Sequence, residues 1–298
     1  MDTQIVRTLK TDGKGSFFEG NHEISPIKPT EILVKSVFTG ICTSDIDMMQ
    51  GKFPLLADYQ MGHEGLAQVV EIGAQVIDAK IGDYVATRGE PAYADMYVAK
   101  HKEYIVVPEA DPKWILEPVA CGVNAIQQNI TKLTQLSGNQ QRCAILGSGF
   151  VAHSAYNYMR VCGLQFEYEF IGSHNREVWT NQRSELTGKY DVIVDFTDRM
   201  EVFGDYYHPN ALLILGANKQ GYVDFGPLLW NSVSISTPSP RSPTFYPSMV
   251  SALKLVRDND VNASHFWTQG YAREDFEQAF AASVNRTTNY NRGYIKWL

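Results

Sequence analysis

The stretch Arg142-Cys143-Ala144-Ile145-Leu146-Gly147-Ser148-Gly149-Phe150-Val151-Ala152 decides the fold. A short apolar run reads as a strand, a glycine-rich turn follows, and Phe150 to Cys162 continues as a helix. In a strand–turn–helix of the form G-x-G-x-x-A, the first glycine (Gly147) permits the tight turn. The second (Gly149) lets backbone approach a pyrophosphate, and the small Ala152 lets helix and strand pack closely. The free N–H groups at the helix start, around Phe150 and Val151, and the helix dipole then hold the anion. The pattern predicts a dinucleotide; the alternative is a tight turn that binds nothing.

Reading outward toward the C-terminus, further strands are predicted at Phe166 to Ile171, Tyr190 to Asp195, Ala211 to Gly216 and Ser232 to Thr237. Strands alternating with helices mean a parallel sheet covered on both faces. The prolines of Pro238-Ser239-Pro240-Arg241-Ser242-Pro243 cannot continue a central strand, so a domain crossing is placed there. Toward the N-terminus the texture differs. Short apolar runs broken by glycine, at Ile32 to Phe38, Leu66 to Gly73, Gly82 to Ala86 and Tyr104 to Pro108, predict a compact β-rich domain that gives way near Glu117 to Cys121. The chain therefore divides into a doubly wound α/β domain at 122–237 and a β-rich domain at 1–121 and 238–298. The latter also receives helices near Ser248 to Asp258 and Arg273 to Ala282 and a last strand at Gly293 to Leu298.

The choice of dinucleotide is read about 20 residues beyond the glycine turn, where an acid at the tip of the second strand selects NAD. Here the tip is Ile171-Gly172-Ser173-His174-Asn175-Arg176, with no acid. A carboxylate repels a 2′-phosphate, whereas Ser173, His174 and Arg176 accept one, so NADP is favoured. Glu167 and Glu169 lie within the strand and would restore NAD if it ended earlier.

Composition narrows the field. The 298 residues carry 44% hydrophobic and 20% charged side chains and a net charge of −7. There is no Lys/Arg cluster for nucleic acid, no run of about 18 apolar residues for a membrane span, and no apolar leader at the N-terminus. The four cysteines, Cys42, Cys121, Cys143 and Cys162, form no C-x-x-C pair, so a reducing cytoplasm is the default.

Three segments carry candidate metal ligands: Gly40-Ile41-Cys42-Thr43-Ser44-Asp45, Gly62-His63-Glu64-Gly65 and Glu117-Pro118. Each alone has an ordinary explanation, since a lone cysteine behaves as a small hydrophobe. Together they offer thiolate, imidazole and carboxylate, a zinc donor set, and a catalytic zinc needs three such ligands and one open position. Asp45 is placed to orient the His63 ring.

These motifs, in this order and spacing with the glycine turn, resemble the medium-chain dehydrogenase/reductase family, specifically its zinc-dependent alcohol and polyol dehydrogenases. The tail Tyr271 to Phe280 is similar to that family's late helix. The resemblance implies a GroES-like catalytic domain beside a Rossmann domain, with one catalytic zinc. It implies Cys42 and His63 as ligands, Glu117 as the third, Glu64 as a carboxylate able to enter the shell, and Ser44 as the hydroxyl that relays the substrate proton. Cys121 is a rival third ligand. The stretch 88–95, where relatives carry four cysteines around a second zinc, has none, which implies that this lobe is missing. Asp47 stands where relatives often have a relay histidine, and Lys296 where many have an arginine near the pyrophosphate. The resemblance further implies hydride transfer between NADP(H) and a small alcohol, aldehyde or ketone, in a homodimer joined through Ser232 to Ser236. Two other readings are a zinc-free reductase of the quinone or enoyl type and a non-catalytic nucleotide-binding protein.

Overall fold

The computed structural model describes residues 4–52, 61–89, 91–172, 182–287 and 291–297, with backbone alone at 182–183. In chain order the elements are β1 (Gln4–Thr11), β2 (Phe17–Ile24), β3 (Ile32–Gly40), α1 (Thr43–Met49), β4 (Gly65–Ile72), β5 (Tyr84–Thr87), β6 (Met96–Ala99) and β7 (Tyr104–Val107). Then come α2 (Glu117–Gln127), α3 (Ile130–Leu136), β8 (Arg142–Leu146), α4 (Phe150–Val161), β9 (Glu167–Ile171), β10 (Gln182–Arg183), β11 (Tyr190–Asp195), β12 (Tyr207–Leu215), α5 (Gly226–Trp230) and β13 (Ser234–Ser236). The chain continues with α6 (Phe245–Arg257), β14 (Trp267–Ala272), α7 (Phe276–Val284) and β15 (Arg292–Lys296). Among the described residues no helix is long and apolar enough to cross a membrane.

By internal contact the chain forms two compact units, residues 1–117 with 262–298, and residues 118–261. The second crossing falls after α6 rather than at the prolines of 238–243. The reason is a polar seam between α6 and α2: Ser248 Oγ donates to Gln127 Oε1 at 2.7 Å, and Gln127 Nε2 donates to Ser251 Oγ at 3.0 Å.

In the second unit the sheet order is β10-β9-β8-β11-β12-β13, and every neighbouring pair is parallel. Period-two alternation explains how both faces are buried. Cys143 and Ile145 of β8, with Val192 and Val194 of β11, join one core with Ala152, Ala155 and Met159 of α4. Ala144, Leu146 and Ile193 point the other way, into a core with Tyr190, Tyr207 and Leu228. The order reverses at β8, placing a ligand crevice at the carboxyl ends of β8 and β11. β12 begins earlier than predicted, at Tyr207, and runs through Pro209. A register shift against β11 between Tyr190 and Val192 makes the irregularity in which a strand proline is tolerated.

In the first unit the sheet order is β14-β15-β3-β4-β5-β7, with β6 also pairing β3. Ile32, Val34, Ala67, Val69, Val85 and Tyr97 fill its interior. The hairpin of β1 and β2 and strand β14 were not anticipated. Trp267 to Ala272 is strand, so the late helix starts beyond Tyr271, at Phe276.

Candidate functional site

The first site is built on the end of β3 and the turn that follows. Cys42 caps α1, and its amide N–H donates to Asp45 Oδ2 at 3.0 Å, which fixes the Cys42-Thr43-Ser44-Asp45 turn. His63 and Glu64 lead into β4, which pairs with β3. This pairing brings Cys42, His63 and Glu64 together: a ligand atom of each lies within 4.8 Å of the others. Ser44 Oγ is 3.4 Å from His63 Nε2, and Asp45 Oδ1 is 3.6 Å from His63 Nδ1.

Asp45 is fully buried, and its Oδ2 also accepts the hydroxyl of Tyr93 at 2.9 Å, while the same hydroxyl reaches the Gly40 carbonyl at 2.9 Å. The segment around Tyr93 is thus core beneath the site, with Ala92, Tyr93 and Ala94 fully buried. Met48 is likewise buried. Asp47 is engaged by Lys52 at 3.5 Å.

A residue missed in the sequence completes this cluster. Arg292, the first residue of β15, places Nη1 2.8 Å from both Glu64 carboxylate oxygens and Nη2 3.7 Å from Cys42 Sγ. Its guanidinium stacks over Trp267 at 5.5 Å. The sequence carries no local signal of this role, because Arg292 opens a short strand of mixed character, Arg-Gly-Tyr-Ile-Lys. Gly40 makes the room, because a Cβ there would collide with Glu64 Oε2 and with the Trp267 ring. Lys296, expected near a pyrophosphate, is exposed on β15 with its side chain lying over Gly270.

The electrostatics follow from burial among charges. Burial works against a charged His63 ring, but Asp45, Cys42 and Glu117 outweigh it and hold its pKa well above the usual imidazole value. Burial pushes the Asp45 carboxyl up, with His63 opposing. Burial also opposes the charge of Arg292, yet Glu64, Cys42 and Glu117 keep it firmly protonated. Glu117 is therefore close enough to act on His63 and Arg292, but it is outside the 4.8 Å set. It belongs to the first unit, whereas the rival Cys121 belongs to the second.

The donor set suits a zinc-type ion: thiolate, imidazole and carboxylate converge beside a hydroxyl. Asp45 Oδ1 is buried without a hydrogen bond, 3.6 Å from the His63 ring. A ring N–H turned toward it, with the other nitrogen given to a metal, would satisfy both.

The second site is the glycine turn. Gly147 has φ of +108°, a conformation open to glycine, and Gly149 caps α4 with open space where a side chain would stand. No side chain caps the first turn of α4, so its N–H groups face outward where a phosphate can take them. Phe150 and Ala152 are buried and Val151 half-buried, so Val151 and Gly149 present backbone. Ser173, His174 and Arg176 lie outside the described residues. Of the two strand acids, Glu167 opens β9, at the end opposite the turn. Glu169 is committed inside the sheet, ion-paired with Arg142 and accepting the Tyr190 hydroxyl at 2.8 Å. Neither stands at the carboxyl tip.

Residues 28–117 match the alcohol dehydrogenase GroES-like domain. An alcohol dehydrogenase of Schizosaccharomyces pombe is 24% identical over 228 residues, covering 62% of this chain and 64% of the relative. The chain thus spans just under two-thirds of that relative's length. Over the whole fold, an Escherichia coli oxidoreductase/dehydrogenase of unknown specificity superposes with a TM-score of 0.79 at 18% identity, covering 98% of this chain and 99% of the other. The Staphylococcus aureus protein TarJ, solved in complex with NADPH, superposes with a TM-score of 0.79 at 15% identity, covering 99% and 100%. Residues 28–117 thus carry the GroES-like domain of alcohol dehydrogenases, and the chain as a whole shares its fold with solved oxidoreductases.

Proposed function

We propose that this chain is an oxidoreductase that moves a hydride between NADP(H) and a small alcohol or its aldehyde or ketone. One zinc ion would be held by Cys42, His63 and a carboxylate. The convergence of Cys42, His63 and Glu64 within 4.8 Å, with Ser44 on the ring, carries this reading. Because Arg292 already holds Glu64, Glu117 is favoured as the third ligand and Glu64 as its neighbour. Bound zinc supplies Lewis-acid polarisation of the substrate oxygen. Ser44 Oγ, beside His63, takes the substrate proton and passes it outward. Asp45 and Tyr93 hold the ring in place. The backbone from Gly147 to Val151 holds the pyrophosphate, and the acid-free tip of β9 favours NADP over NAD. The NADPH complex of TarJ supports the same cofactor.

The assembly is proposed as a homodimer. β13 is the edge strand of its sheet with Ile235 exposed, and Tyr222, Phe225, Leu229 and Trp230, shortly before it in sequence, are exposed large apolar side chains that a second copy would cover. Light scattering should give twice the chain mass, and a monomer would exclude this arrangement.

One observation favours a second reading. Arg292 itself neutralises Glu64 and approaches the Cys42 thiol, so a metal-free reductase with a built-in cation is the competing assignment. Metal analysis of purified protein separates the two. The zinc reading predicts one ion per chain, and in Cys42→Ala it predicts loss of both zinc and aldehyde-dependent NADPH oxidation, with NADPH binding retained. Full turnover by zinc-free Cys42→Ala would refute it.

A further inference from the structure

The crevice at the carboxyl ends of β8 and β11 contains a buried ion pair that the proposed chemistry leaves unused. Asp195, the last residue of β11, is fully buried, and Lys219, in the connection after β12, is nearly so. Lys219 Nζ reaches Asp195 Oδ2 at 2.5 Å, the Thr197 carbonyl at 2.5 Å and the Arg199 carbonyl at 2.9 Å. An ammonium has three N–H donors, and each finds one acceptor. The other carboxylate oxygen, Asp195 Oδ1, accepts both the amide and the hydroxyl of Thr197, each at 2.7 Å.

A saturated ammonium has no donor left for a ligand or a proton transfer. Its effect is to fasten residues 196–199 to the connection that leaves β12. That segment lies directly on the glycine turn: a Cβ at Gly147 would stand 3.6 Å from Phe196 Cβ and from Thr197 Cγ2, and the Phe196 amide donates to the Leu146 carbonyl at 3.0 Å. The Gly216 amide donates to the Asp195 carbonyl at 2.8 Å, drawing the β12 end into the same knot. The segment that Lys219 fastens is thus itself joined by backbone bonds to the ends of β8 and β12.

We propose that Lys219, paired with Asp195, is a positioning residue that pre-forms the nicotinamide half of the dinucleotide crevice. The assignment of halves follows from topology. In a doubly wound sheet the adenosine ribose is read at the tip of the second strand, here β9, so the strands across the reversal, β11 and β12, receive the other nucleotide. The inference rests on the dinucleotide-binding reading above.

The test compares NADPH with its adenosine fragment, adenosine 2′,5′-bisphosphate, by calorimetry on the full chain. Lys219→Met, and the charge-neutral double variant Asp195→Asn/Lys219→Met, should bind NADPH on the order of tenfold more weakly, because the ligand must then order a loose wall. The fragment should bind within about twofold of wild type, and Lys219→Arg should recover most of the NADPH affinity. A general loss of structure would weaken both ligands alike, and that result overturns the proposal, as does unchanged NADPH binding in both variants. The double variant covers the case in which Lys219→Met alone fails to fold, since it leaves no buried charge unpaired. Wild-type protein that binds neither ligand would sink the dinucleotide reading itself and this inference with it.

Discussion

Two buried carboxylates, one in each unit, are each held by a single cation, and the two pairs differ in reach and in closure. Asp195 and Lys219 are 24 residues apart, and the lysine is saturated by one carboxylate oxygen and two backbone carbonyls. Glu64 and Arg292 are 228 residues apart, and the arginine divides its nitrogens between the carboxylate and the Cys42 thiol. The first pair is closed and fastens loops. The second is open: its cation faces the same groups that a metal would use. A compact ammonium suits the first task and a planar, forked guanidinium the second. The contrast teaches that a buried ion pair is not one kind of object, because what the cation has left over after pairing decides what it can do.

Removing Arg292 should break the comparison most strongly. Arg292→Met leaves Glu64 buried without its counter-charge and should cost roughly 3–5 kcal/mol in metal-free protein. Added zinc should then raise the melting temperature more in the variant than in wild type, because Glu64 is free to serve it. An unchanged zinc-free melting temperature would show that Arg292 does not neutralise Glu64 in solution. A smaller effect is expected from Gly40→Ala, which pushes a methyl against Glu64 and Trp267 and should cost about 1–3 kcal/mol by denaturant unfolding. Wild-type stability in that variant would mean the cluster is looser than described. The mildest change is Arg292→Lys, which keeps the charge but cannot bridge both carboxylate oxygens and the thiol. A loss of about 1 kcal/mol is expected, and a loss as large as that of the methionine variant would show that shape, not charge, dominates.

Much of the fold was legible because its signals are local. The apolar run, glycine turn and helix from Arg142 onward carry their own period change, and β8 and α4 match that reading. Cys42, His63 and Glu64 were legible as a set because they flank a β-strand pairing, so adjacent motifs become neighbours in space. What escaped was set by distance or by competing readings. Arg292 meets Glu64 only because β15 inserts between β14 and β3, and periodicity carries no trace of that pairing. Strand Trp267 to Ala272 was not read at all, and the likeness of Tyr271 to Phe280 to a late helix reached two residues into it. Helix α6 groups with residues 118–261 rather than with the β-rich unit, because the seam from Ser248 and Ser251 to Gln127 spans 121 and 124 residues of sequence.

The late arrival of β15 has a consequence for biosynthesis. The unit formed by 118–261 is continuous and is complete on the ribosome before β15 is made, whereas the unit holding Cys42, His63 and Glu64 needs a strand translated after it. Until Arg292 emerges, Glu64 and the thiol have no guanidinium between them. A nascent chain therefore passes through a period in which its cysteine and acidic groups are uncompensated, the interval in which a stray cation or an oxidant would find them most accessible.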